Sequence, residues 1–84
     1  MVNFNIAMCE FKKALRVPEI KERIKKMSFY EKMIIDDLFD ALTNKNENKL
    51  YTLIESLGGR EAVSRELGNY GINFEAISTA SGIF

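Results

Sequence analysis

The side chains that carry most protein chemistry are scarce in this sequence, which has no histidine and one cysteine, Cys9. Without histidine, Ser-His and Cys-His nucleophile pairs, histidine general bases and histidine metal sites are all out of reach. A lone thiol forms no intramolecular disulfide and fits a reducing compartment, with the cytoplasm as the default. Cys9 falls beside the inward face of an amphipathic N-terminal segment, where a small buried thiol needs no reactive role. Asp36, Asp37 and Asp40 could offer oxygen ligands to a hard cation, but their spacing matches no calcium loop. Lys32 precedes Asp36 by four residues, within reach for pairing on a helix. The three aspartates therefore form a solvated acidic face, open to a basic partner. Gly58-Gly59 lacks the lysine and the spacing of a phosphate loop, and serves to punctuate a helix. The expectation is a protein without enzymatic activity, cofactor or metal.

Charge gives the strongest local feature. Twelve basic and twelve acidic residues cancel over the whole chain, so no global field favours a polyanion and electrostatic recognition must be local. Residues 12–26 hold Lys12, Lys13, Arg16, Lys21, Arg23, Lys25 and Lys26 against Glu19 and Glu22, seven minus two, or plus five. Part of this cluster supports helices: Glu19 with Arg23 and Glu22 with Lys26 stand four apart in the favourable order, and Lys12, Lys13 and Arg16 suit a helix C-terminus. The remainder, Lys12, Lys13, Arg16, Lys21 and Lys25, forms a candidate partner-binding face for an acidic protein segment or, more weakly, anionic lipid heads.

These groups must be held by helices. Phe4, Ala7, Met8, Phe11, Ala14 and Leu15 recur at spacings of three and four, so residues 3–15 read as an amphipathic helix. Pro18 disfavours helix at Val17 and opens a second one, running to about Met27 with Ile20, Ile24 and Met27 on one face. Ser28 and Glu31 form an S-x-x-E capping box for a third, from Phe29 to Leu42. Its apolar residues, Tyr30 among them, cover about half its circumference, more than one neighbour requires, so it is expected at the centre. After a polar break at 44–48, Asn44 with Glu47 caps a fourth helix carrying Leu50, Tyr51, Leu53, Ile54 and Leu57, which Gly58 and Gly59 end. Residues 60–67 form a short fifth, stopped by Gly68, and Asn73 caps a sixth from Phe74 to Ala80, closed by Gly82.

No strand signal, repeat or low-complexity tract interrupts this pattern, and connections of a few residues favour a compact all-α bundle of five to six short helices, one domain over residues 1–84. With 46% apolar and 29% charged residues, the chain is expected to fold. So small a domain buries only roughly 60 to 65% of its unfolded surface, and Phe11, Ile24, Ile34, Leu38, Leu50, Ile54 and Leu57 are its expected core. Asn3, Asn5 and Glu10 interrupt any N-terminal apolar run, so no signal peptide is expected, and no uncharged stretch suggests a membrane span.

Two resemblances extend this reading. LIESLGGREAVSRELG, Leu53 to Gly68, resembles the start of a helix-turn-helix in Cro-like repressors, and GINFEAIS, Gly71 to Ser78, is similar to the turn and recognition helix of that family. The resemblance implies DNA binding, with Arg60, Arg65, Asn73 and Ser78 as the contacts. Asn69, Tyr70 and Gly71 insert three residues where the family has a tight turn. Glu75 would repel phosphate, and residues 43–84 carry four basic and five acidic side chains, a balance of minus one. More broadly, the length, the Asn- and Lys-rich makeup and the stretch from Asp36 to Gly68 resemble small T-even-type phage proteins, in particular the lysis-inhibition accessory proteins, which are cytoplasmic antiholins. That resemblance implies a regulator in the host cytoplasm that binds the cytoplasmic part of a holin and delays hole formation. It brings no site residues with it. The leading expectation is a protein-binding regulator, with a DNA-binding regulator as the alternative and self-association left open.

Overall fold

A computed structural model describes residues 1–83, and Phe84 lies outside the described residues. The chain forms six α-helices and, among the described residues, no strand: α1 Phe4–Leu15, α2 Pro18–Lys25, α3 Phe29–Thr43, α4 Glu47–Ser56, α5 Arg60–Gly68 and α6 Phe74–Ser81. Each boundary has a local cause. Asn3, Ser28, Asn46 and Asn73 accept hydrogen bonds from the backbone N–H groups of Ile6, Glu31, Lys49 and Ala76, filling donors that a helix start leaves free. Pro18 opens α2 after an extended Val17. At the end of α4, Gly58 takes φ +108° and the Gly59 N–H donates to Ile54 O, closing the helix with a left-handed residue.

Several boundaries differ from the sequence expectation. Asn46, not Asn44, caps α4, because Asn44 is the C-cap of α3 and its side-chain amide donates to Asp40. The capping box is half made: Ser28 accepts from the Glu31 N–H, but the Glu31 carboxylate takes hydrogen bonds from the Ser28 and Tyr70 hydroxyls. Gly68 lies inside the last turn of α5 rather than stopping it, and the chain turns at Gly71, with φ +86°.

One hydrophobic cluster runs through all six helices, including Phe11, Ile20, Leu38, Leu50, Ile54, Leu67 and Phe74. Five of the seven expected core residues are buried, while Ile24 and Leu57 are half-buried at its margin. The central helix is α1, not α3: α1 packs on α2, α3 and α6, whereas α3 packs chiefly on α1 and α4. The termini reinforce α1 against α6. Val2 and Ile83 are buried, and the Asn3 N–H donates to Ser81 O at 2.7 Å. Ser78 and Ser81 can be buried in α6 because their hydroxyls donate to Phe74 O and Ile77 O, four residues back. No helix among the described residues is long and apolar enough to cross a membrane.

Candidate interaction surfaces

The basic face divides into paired and unpaired groups. Lys13 meets Glu10 at 3.4 Å, and Lys25 meets Glu22 at 3.3 Å, both three residues apart and solvent-exposed. Glu22 thus pairs with Lys25 rather than with Lys26. Arg23 leaves Glu19 for the α5–α6 connection, where a Cβ on Gly71 would come 3.3 Å from its guanidinium. Lys12, Arg16 and Lys21 are exposed on α1, its C-cap and α2, with no ion pair among the described residues.

The acidic face is partly neutralised from within. Asp40 forms an ion pair with Lys49 that ties α3 to α4, and the Asn44 amide donates to its other oxygen at 2.9 Å. The hydrogen bond from Lys49, and then its charge, holds the Asp40 carboxyl below its ordinary value, while the same bond raises the Lys49 ammonium. Asp37 is half-buried in an open cleft that Lys49 also lines, and Asp36 is exposed. The Lys32–Asp36 pair does not form at ion-pair distance. No cluster of acidic or thiol groups among the described residues could hold a metal ion. Cys9 is exposed, not buried, because α1 turns it away from the side that packs on its neighbours.

Three of the four side chains implied as DNA contacts are already engaged. Ser78 is buried, its hydroxyl donating to Phe74 O and Glu75 O, so no base edge reaches it. Asn73 uses its side-chain oxygen to cap α6. Arg60 donates to Glu75 at 2.6 Å, while its Nε is buried without a partner. Only Arg65 is exposed and unpaired among the described residues, beside an open cleft lined by Tyr30, Glu66 and Asn69.

Sequence reasoning missed two features. Tyr70 is half-buried and its hydroxyl donates to Glu31 and to Glu66, joining the start of α3 to α5. The pairing spans 39 residues and left no local signal. The other is an exposed apolar turn: Phe29, Tyr30 and Met33 at the start of α3 are 81%, 71% and 45% exposed. Its signal was present in the width of the apolar arc of α3, which only α1 and α4 cover substantially. No protein-family model, curated protein or solved structure matches this chain.

Proposed function

We propose that this chain is a non-enzymatic cytoplasmic regulator that acts by binding an acidic segment of another protein through Lys12, Arg16 and Lys21. The observation that carries the reading is that these three cations stand exposed on adjoining elements with no acidic side chain paired to them among the described residues. Lys13 and Lys25, from the same basic cluster, are taken up by Glu10 and Glu22. Unpaired surface cations raise the rate of encounter with an acidic partner and fix its orientation more than they tighten the final complex. The resemblance to lysis-inhibition accessory proteins supplies the most concrete form of this function, in which the partner is the cytoplasmic segment of a holin and binding delays hole formation.

The test is Lys12→Glu with Lys21→Glu, neither of which breaks an ion pair. Binding of the wild type and the variant to an isolated cytoplasmic holin segment is followed by stopped flow over a range of salt. The expected result is slower association and a flatter salt dependence, with dissociation little changed. Equal association rates and salt slopes in a normally folded variant would overturn the assignment of this face. Binding of the segment by neither protein would overturn the holin reading.

A further inference from the structure

The start of α3, the C-cap of α4 and the outer side of α5 meet around an open cleft of about 290 Å³. Its apolar lining grades from the buried Ile34 through the half-buried Leu57 and Ala62 to the ring of Tyr30, which is 71% exposed. Arg65 lines the same cleft, three residues after Ala62 on α5. It is exposed and makes no ion pair among the described residues, and Glu61, four residues before it, stays beyond ion-pair distance. The carboxylate in the lining, Glu66, accepts a hydrogen bond from the Tyr70 hydroxyl at 3.5 Å. An apolar hollow is thus joined to one unpaired guanidinium.

We propose that this cleft binds a small monocarboxylate with an apolar body, its charged end held by Arg65 and its apolar part by Tyr30, Ile34, Leu57 and Ala62. Each half of the ligand answers to a lining group. A planar guanidinium presents parallel N–H donors that fit the two oxygens of a carboxylate, and it stays charged at physiological pH. Glu66 next to it disfavours a doubly charged anion such as phosphate, whose second charge would face that carboxylate. Hydrocarbon walls leave little to satisfy a polar body, while a ligand ring can lie against Tyr30 in offset or edge-to-face contact.

Volume sets the size. Pockets for drug-sized ligands run from roughly 300 to 1,000 Å³, so this cleft takes a ligand about as large as one amino-acid residue. So few atoms in an open cleft give a dissociation constant on the order of millimolar. The same chemistry is offered by a free aromatic acid and by the last residue of a peptide. This inference is independent of the basic face of α1 and α2, since Lys12, Arg16 and Lys21 do not line the cleft.

An NMR titration of the full nitrogen-labelled chain tests it, with N-acetylphenylalanine, its primary amide and phenylpropionate as probes. The two acids should shift the backbone amides of Tyr30, Leu57, Ala62 and Asn69 together with the Arg65 side-chain Nε–H. The primary amide, which lacks the charge, should bind roughly three- to tenfold more weakly. Arg65→Gln should bring the acids down to the level of the amide, and Tyr30→Ser should weaken acids and amide alike. Both residues are exposed, so both variants should keep the thermal midpoint of the wild type. Tighter binding of N-acetylphenylalanine than of phenylpropionate would assign the site to a peptide end, and the reverse order to a free acid. Equal affinity for acid and amide, or acids that bind Arg65→Gln as well as the wild type, would overturn the proposal. Shifts confined to Lys12, Arg16 and Lys21, or none at saturating probe, would do the same.

Discussion

Leu38 and Phe29 lie on the same helix, and the fold gives them opposite tasks. Leu38 is 1% exposed inside the cluster that runs through all six helices. Truncation to alanine removes three carbons, worth about 0.8 kcal/mol each, or roughly 2.4 kcal/mol of transfer free energy. The void left behind adds about 1 kcal/mol, which places Leu38→Ala near 3 kcal/mol, within the roughly 2 to 5 kcal/mol range of such deletions. For a domain of this size about 3 kcal/mol lowers the melting midpoint by roughly 12 to 24 °C. Phe29 is 81% exposed, so Phe29→Ala should change stability by no more than about 0.5 kcal/mol. Circular dichroism melts check both variants. An unchanged midpoint for Leu38→Ala, or equal losses in the two variants, would refute the packing of α3 described above.

Other substitutions probe single features. Tyr70→Phe removes the hydroxyl that joins Glu31 and Glu66 and should cost about 1 to 2 kcal/mol by urea denaturation, in the range of a hydrogen bond to a charged group. Lys45 occupies a left-handed conformation, φ +53°, after the C-cap of α3, so Lys45→Gly should raise stability by up to about 1 kcal/mol. Ser78→Ala should alter stability by less than about 0.5 kcal/mol in the same assay, because the bonds lost are to carbonyls of its own helix and alanine favours helix. Asp40, with its pKa lowered, contributes stability that is present above its unfolded value and lost as pH falls through the lower folded value. A carbon-detected NMR titration should therefore place the Asp40 midpoint below 3.8, and Lys49→Met should move it back up.

Local rules made much of the fold legible. Apolar spacing together with capping and glycine signals located all six helices, and Pro18, Ser28, Asn73 and Gly82 lie at the boundaries their chemistry predicts. The near-miss at Asn46 shows the limit of such rules. Between residues 44 and 48 the chain offers three asparagines, each chemically able to cap, and the choice depends on where α3 releases the chain. Asn44 keeps a helical backbone as the C-cap of α3 and its amide donates to Asp40, whereas Asn46 is extended, so α3 holds Asn44 and leaves Asn46 to start α4. Charge partners were less legible. Glu22 has basic residues at both three and four positions beyond it, and pairing rules admit either. The pairs Asp40–Lys49 and Arg60–Glu75 span separate helices and follow only from packing.

The candidate surfaces were obscured for a related reason. Periodicity shows which side of a helix is apolar, but whether that side is covered depends on how much neighbouring surface the chain can supply. In α3 the apolar arc is wide enough for several neighbours, and the sequence therefore suggested a central helix with Tyr30 in its inward set. The other described helices do not complete such a shell: α2 spans only Pro18–Lys25, and α5 and α6 are directed to other helices. Coverage reaches Ile34, Ile35, Leu38, Ala41 and Leu42 and stops short of the first turn. Phe29, Tyr30 and Met33 are left in water, a location that aromatic side chains occupy at a cost when nothing covers them. Met1, Ile6 and Val17 are also exposed, each apart from this turn in the sequence. Phe29, Tyr30 and Met33 adjoin one another at the start of α3, so the uncovered residues follow from which neighbours α3 has rather than from the apolar pattern of α3 itself.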